Sequence, residues 1–284
     1  MKQEEIQRLI DESGQLPTLL NFYAKFREKI SDPRISAGEI AQLISSDPSV
    51  SGNVLRTANS SFYGLMNRIH TVPHAIVIIG FSGVHFIVLN TAVFNMFKES
   101  ELANAAFDLG KLWKHSLAVA RLSRIIAKKV DYAAYEEMFT AGLLHDIGKV
   151  FVFKYFPEEF NRVIFTVNQK NIFMREAESL VLEVDHARIG EMLLRGWNLP
   201  ETLIATTAYH HDPMLAKQKA KTVSIVHTAN TLARALELGS GGDDLVPIVD
   251  AQAWLQLGLS ECAIDEIVED LKKESEIPDE IGEL

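Results

Sequence analysis

Disulfide chemistry is closed to this chain on its own, because it has a single cysteine, Cys262. A lone thiol builds no intramolecular framework and fits a reducing compartment. Cys262 lies far in sequence from every histidine and reads as an ordinary helix residue. A basic excess is also missing: 28 Lys and Arg stand against 38 Asp and Glu, a net charge of -10. Phosphate backbones reward a basic face, so nucleic acid is not the expected partner. No recognition helix stands out either. A local basic pocket for a small anion is still compatible with this balance. The amino terminus, Met1-Lys2-Gln3-Glu4-Glu5, lacks the apolar core of a signal peptide, and the expected location is the cytoplasm. Strand-like alternation, low-complexity tracts and repeats are absent from the pattern. Residues 69–97 contain no Asp, Glu, Lys or Arg, a length that permits a membrane span. Pro73, Gly80, Ser82, Gly83, His85, Asn90 and Asn95 interrupt that run, and residues 80–83 read as a break between two buried helices. No membrane association is expected.

What the chain does have is apolar material in helical phase. Hydrophobic residues make up 47% of 284, enough for a sizeable core in one large domain or two modest ones. Ser13 to Pro17 opens a segment with Leu19, Leu20, Tyr23, Phe26 and Ile30 at steps of three and four. Ser36 with Glu39 forms a capping-box signature, and Asp47-Pro48 starts the next helix. Residues 59–64 read as a turn. Further helices are expected over 113–130, 135–146, 158–169, 174–181, 186–196, 200–211 and 221–238. The stretch 239–244 (Gly-Ser-Gly-Gly-Asp-Asp) reads as a linker. The expected organisation is all-α: a helical lobe over 1–100, a helical domain over 101–238, and a linker with an acidic helical tail over 239–284. Trp113, Trp197 and Trp254 read as packing anchors.

The chemistry is concentrated in the middle. The run Ala141-Gly142-Leu143-Leu144 leads into His145-Asp146, with Gly148 expected to stop the helix. His115 shares a helical stripe with Ala118, Val119, Leu122 and Ile126, which points it inward. His186 lines up with Ile189, Gly190 and Leu193, and Gly190 would let another helix approach closely. His210 continues the row Leu203, Thr206, Thr207, and His211 follows it. Inward imidazoles must find partners. Spacing alone leaves two readings open: each ring bonds a local backbone carbonyl, or several share a metal ion. Neutral imidazole with carboxylate suits zinc, iron, manganese and nickel.

At this point the chain resembles the HDOD family, a branch of the HD superfamily of metal-dependent phosphohydrolases, over roughly residues 15–238. The resemblance rests on Glu39-Ile40-Ala41-Gln42-Leu43-Ile44-Ser45-Ser46-Asp47-Pro48, on Val54 to Ser60, and on Ala75-Ile76-Val77-Ile78-Ile79-Gly80. It rests also on His145-Asp146-Ile147-Gly148-Lys149 and on Gly190, Trp197-Asn198-Leu199-Pro200 and His210-His211. It implies an all-helical fold and a role in bacterial signalling or regulation, usually without demonstrated catalysis. Catalytic members of the related HD-GYP branch cleave cyclic dinucleotides at two or three metals. Carried over by position, His115, His145 and Asp146 match ligands of one metal, with Asp146 bridging. His186, His210 and His211 match ligands of the second, and Lys149 matches the lysine that touches substrate phosphate. One or two divalent ions are implied.

Two positions depart from that pattern. Lys111 stands where the catalytic branch has a glutamate, which would add positive charge near crowded cations. Asn230 stands where active enzymes carry an aspartate, so it is a weak ligand candidate at best, offering a neutral dipole. The Gly-Tyr-Pro signature is missing after His211. His227, one turn before Asn230, could substitute as a ligand, but a structural role is preferred. His70, His74 and His85 match nothing in the metal site, and Arg56 and Arg68 read as surface residues. The expected function is a non-catalytic signalling module that retains a metal and binds a protein partner or small anionic effector. The alternative is a metal-dependent phosphohydrolase acting on a cyclic dinucleotide or another nucleotide.

Overall fold

The computed structural model describes residues 34–59, 68–99 and 107–275, with positions 6–8, 22, 25, 26, 28–30 and 32. Most of the segment expected from Ser13 to Ile30, and the turn after Asn59, lie outside the described residues. Every regular element among the described residues is a helix. They fall into two compact units, one within Gln15–Lys98 and one within Glu99–Lys272.

The first unit contains α1 (Ala37–Ser45), α2 (Pro48–Ala58) and α3 (Val72–Glu99). Ser36 caps α1 as its sequence predicts: Glu39 N donates to Ser36 Oγ at 3.2 Å, and Ser36 N donates to Glu39 Oε2 at 3.0 Å. Asp47 accepts from Val50 N at the start of α2. Asn59 accepts from Ile69 N at 2.6 Å and donates to Ile69 O at 2.7 Å, joining the end of α2 to the entry of α3. Gly80 (φ 79, ψ 169) breaks α3, and the segments Val72–Phe81 and Gly83–Val93 are bent by 105°. No single helix among the described residues is long and apolar enough to cross a membrane, though this bent pair passes on length and composition. The break falls where the sequence predicts it. Burial differs: Val84, Leu89 and Val93 are buried, whereas Val77 is 74% exposed and Ile78 half-exposed at the end of the first segment. Arg56, Arg68, His70 and His74 are exposed, and His85 packs against the rings of Phe26 and Phe86.

The second unit is built around α4 (Leu109–Lys129). Asp108 caps it, accepting from Lys111 N, and Lys128 and Lys129 in the last turn complement its dipole. Leu112, Trp113, Val119, Leu122 and Ile126 are fully buried along one stripe, each contributing about 1.5–3 kcal/mol. Around α4 pack α5 (Tyr135–Leu144) and α11 (Ala220–Ala235), and α10 (Glu201–Tyr209) contacts both of these. Then α6 (Ile147–Tyr155) packs on α9 (His186–Gly196), while α7 (Pro157–Lys170) packs on α8 (Met174–Leu182). A 3₁₀ segment, Pro213–Lys219, leads into α11; α12 (Ala251–Leu257) and α13 (Ala263–Ser275) complete the unit. Lys129 pairs with Glu266 at 2.9 Å and Asp270 at 3.3 Å, tying α13 to α4.

Two local readings change. Gly148 does not stop a helix: α5 ends at Leu144, His145 and Asp146 form the corner, and Gly148 lies in the first turn of α6. Nor does residue composition describe 239–244 well. Ser240 N donates to Lys111 O at 3.0 Å, and a Cβ at Gly239 (φ +78) would come 2.3 Å from His115 N. This segment is therefore a strap lying against α4. Of the tryptophans, Trp113 is a buried anchor and Trp197 and Trp254 are half-buried.

Candidate metal centre

The corner between α5 and α6 places the central carboxylate. Asp146 is the N-cap residue of α6, yet its side chain makes no capping bond and is turned inward. Its partner helices reach it because two glycines leave room. A Cβ at Gly148 would lie 2.1 Å from His186 O, and one at Gly190 would lie 2.5 Å from the Thr207 methyl. Asp185 caps α9 through Arg188 N and so fixes where His186 begins. The inward phase read for His115, His186 and His210 holds: all three are at most 1% exposed.

The two oxygens of Asp146 face two histidine groups. Oδ2 lies 3.3 Å from His145 Nε2 and 3.8 Å from His115 Nε2. Oδ1 lies 3.1 Å from His186 Nε2 and 3.7 Å from His210 Nε2. His211 Nε2 is 3.0 Å from His186 Nε2, which is 3.4 Å from His210 Nε2. Within His115–His145–Asp146, and again within His186–His210–His211, one ligand atom per residue falls within 4.8 Å of the others.

Ring orientation tests whether a cation fits. His145 Nδ1 lies 2.6 Å from Gly142 O, His210 Nδ1 2.9 Å from Thr207 O, and His186 Nδ1 2.6 Å from Glu178 Oε2. Those acceptors take the Nδ1 proton in each case, so that each ring in its neutral form points its Nε2 lone pair inward. Nitrogen lone pairs and a carboxylate then converge, with the Lys149 ammonium as the cationic donor beside them. His115 Nε2, His145 Nε2 and Asp146 Oδ1 have no hydrogen-bond partner in this buried site. A transition metal ion shared with His186 and His210 would satisfy Asp146 Oδ1.

Electrostatics agree for His115, His210 and His211 and run the other way for His186. Burial, with the neighbouring His145, pushes His115 down to about 3. Burial and the adjacent imidazoles hold His210 and His211 well below the ordinary value. Burial opposes charge on His186, but Glu178 and Asp146 outweigh it and raise the ring to about 9. Asp146 resists the upward push of burial because His145, Lys149 and His186 hold it well below the usual carboxylate range.

Sequence reasoning missed Glu178. It is 1% exposed on α8 and accepts from His186 N at 2.9 Å as well as from the ring. A glutamate in the run Arg-Glu-Ala-Glu-Ser gives no signal of burial; only the contact with His186 reveals it. Lys149 is 2% exposed, and its Nζ donates to Asp146 Oδ2 at 2.7 Å and to Gly241 O, in the strap, at 2.8 Å. Lys111 corrects an expectation: it is exposed in the first turn of α4 and does not line the cavity described below, so it adds no charge to the centre. Asn230 is buried, and its Oδ1 has no partner. His227 is structural, as preferred: Nδ1 meets His210 O at 2.8 Å and Nε2 accepts from Asp250 N at 2.9 Å.

A cavity of about 860 Å³ opens onto this centre. His186, His210, His211, Lys149 and Asn230 line it; His115, His145 and Asp146 do not. Lys170, Arg175 and Arg234 supply cationic walls, with Phe173, Leu180 and Ile248 as apolar surface. Arg175 pairs with Asp185 and Asp212, and Arg234 with Asp243, whose other oxygen accepts from Met174 N.

An all-helical scaffold carrying two histidine groups over one shared aspartate defines the class: a helical protein with a candidate metal centre. Residues 16–213 match the HDOD-domain family model, and the chain belongs to that family. A crystal structure of an HDOD domain protein with unknown function from Geobacter sulfurreducens has a TM-score of 0.76 at 26% identity. The match covers 99% of this chain and 97% of that one. A Shewanella amazonensis SB2B protein, described only provisionally as a phosphohydrolase, has a TM-score of 0.69 at 22% identity over 94% of this chain and 93% of its own, which shows the fold alone. A curated protein of Treponema pallidum (strain Nichols), with no assigned function, is 26% identical over 230 residues, 80% of this chain. The chain spans 43% of that relative's length.

Proposed function

We propose that this chain is a bacterial regulatory HDOD protein that keeps a His/Asp metal centre without turning over a substrate. The observation that carries the reading is the neutral, buried Asn230 on the cavity wall beside an otherwise complete ligand set. A divalent ion there would act as a Lewis acid and generate hydroxide from bound water. The chain's own residues support binding better than turnover. Asn230 neither offsets cationic charge nor accepts a proton as an aspartate would. Lys149, the cation that the family resemblance assigns to substrate phosphate, is already engaged by Asp146 and Gly241. What the residues do supply is orientation of the imidazoles by Glu178, Gly142 and Thr207, and a cation-lined cavity suited to a small anionic effector. Such an effector, or a protein partner that senses it, is the expected input.

A phosphohydrolase reading is favoured by one observation, the survival of all five histidine ligands and Asp146 in two adjacent groups, all buried but the half-buried His211. The test is hydrolysis of cyclic dinucleotides and generic phosphodiesters by protein loaded with manganese or iron. The regulatory reading expects no turnover above background. Robust turnover abolished by His145→Ala would overturn it in favour of the hydrolase.

A further inference from the structure

The two histidine groups are not equivalent, and Lys149 makes the difference. Resting on the metal-binding reading above, we propose that the centre is mononuclear. Its one ion sits among His186, His210 and His211, and the Lys149 ammonium permanently takes the place of a second cation beside His115, His145 and Asp146.

Three observations carry this. Lys149 Nζ contacts Asp146 Oδ2, the same oxygen that faces His145 and His115. An ion ligated by that oxygen would stand about 2 Å from it, bringing a dication beside an ammonium in a buried site where charges are weakly screened. Second, Lys149, although it borders the cavity, is held at Asp146 by a second bond. That bond is to Gly241 O, and the strap carrying Gly241 is pinned on both sides. Ser240 N donates to Lys111 O before it, and Asp243 after it binds both Arg234 and Met174 N. Third, the cavity reaches only one group. His186, His210 and His211 line it, whereas His115, His145 and Asp146 are sealed behind Lys149 and the strap.

Charge balance runs the same way. Lys149 neutralises Asp146 on the sealed side, while Glu178 stands behind His186 on the open side, where an entering ion meets three imidazoles and a supporting carboxylate. The lysine is thus a specificity device that sets ion number, one instead of two.

The test uses the full chain, stripped with chelator and titrated with cobalt(II) alone, read by elemental analysis and by the ligand-field absorption of the bound ion. The expected stoichiometry is one per chain, abolished by His211→Ala and unchanged in number by His115→Ala. Lys149→Met, which removes the ammonium while keeping the stem, is expected to raise it to two. Two ions in the unsubstituted chain, or loss of the single ion in His115→Ala, would overturn the proposal while leaving a metal-binding protein. A folded Lys149→Met chain still holding one ion would also overturn it. If Lys149→Met does not fold, the His115→Ala and His211→Ala pair decides the question without it. No cobalt in the unsubstituted chain would refute the metal-binding reading itself, and the proposal with it.

Discussion

The sealed and the open halves of the centre are built from nearly the same residue types and differ in what stands beside them. His115 and His145 share Asp146 Oδ2 with an ammonium and are closed over by a glycine strap. His186, His210 and His211 face a cavity and are backed by a buried glutamate. On the mononuclear proposal, surrounding charge and route of entry, more than ligand identity, set what each half binds. The imidazole pair beside a lysine is then a charge-balanced structural cluster, and the rings beside a glutamate and a cavity are the ion receptor.

The comparison breaks most severely at Asp146, the residue common to both halves. Asp146→Ala leaves Lys149 buried without its counter-ion, and a loss of about 3–5 kcal/mol in stability is expected, measured by denaturant unfolding. Metal binding at the open half should weaken as well. A change under about 1 kcal/mol would show that the two halves are not joined through this carboxylate.

Glu178→Gln acts on the open half alone. It keeps the size and removes the charge behind His186, so ion affinity is expected to fall about 10–100-fold in chelator competition. Unchanged affinity would show that Glu178 does not orient the ligand.

Acidity separates His186 from the other rings more gently. His115, lowered to about 3, and His210 and His211, also held well below the ordinary value by burial among imidazoles, take up protons only in the unfolded chain as pH drops below 6.5. Metal-free protein therefore loses stability on that side, by roughly 1.4 kcal/mol per pH unit for each such group. His186, raised to about 9, has the opposite sign: its contribution is full below 6.5 and is lost as pH rises through 9. Stability of the metal-free chain should peak near pH 6.5, and added metal should flatten the alkaline side by deprotonating His186. A pH profile unaffected by metal would contradict this. The smallest effect is expected from Lys111→Glu, since Lys111 is exposed. Stability should stay within about 0.5 kcal/mol and ion stoichiometry unchanged.

Much of the site was legible because helical phase is a local property. The stripes through His115, His186 and His210, the caps at Ser36 and Asp185, and the break at Gly80 all follow from residues within a turn or two. Glu178, Lys149 and the strap were not legible in the same way. Glu178 is buried through its pairing with His186, eight residues onward, and Lys149 through Gly241, ninety-two residues onward. Composition marks 239–244 as a linker because Gly and Asp favour turns. It does not reveal that Gly239 lies against the His115 backbone or that Asp243 binds Arg234. Lys111 misled for the converse reason: it precedes His115 by one turn, but at the exposed end of α4.

Anomalous diffraction from crystals of metal-loaded protein tests the central claim most directly. The account predicts a peak within coordination distance of His186, His210 and His211 Nε2, with Lys149 still on Asp146. A peak enclosed by His115, His145 and Asp146 instead, or no peak at either group, would contradict it.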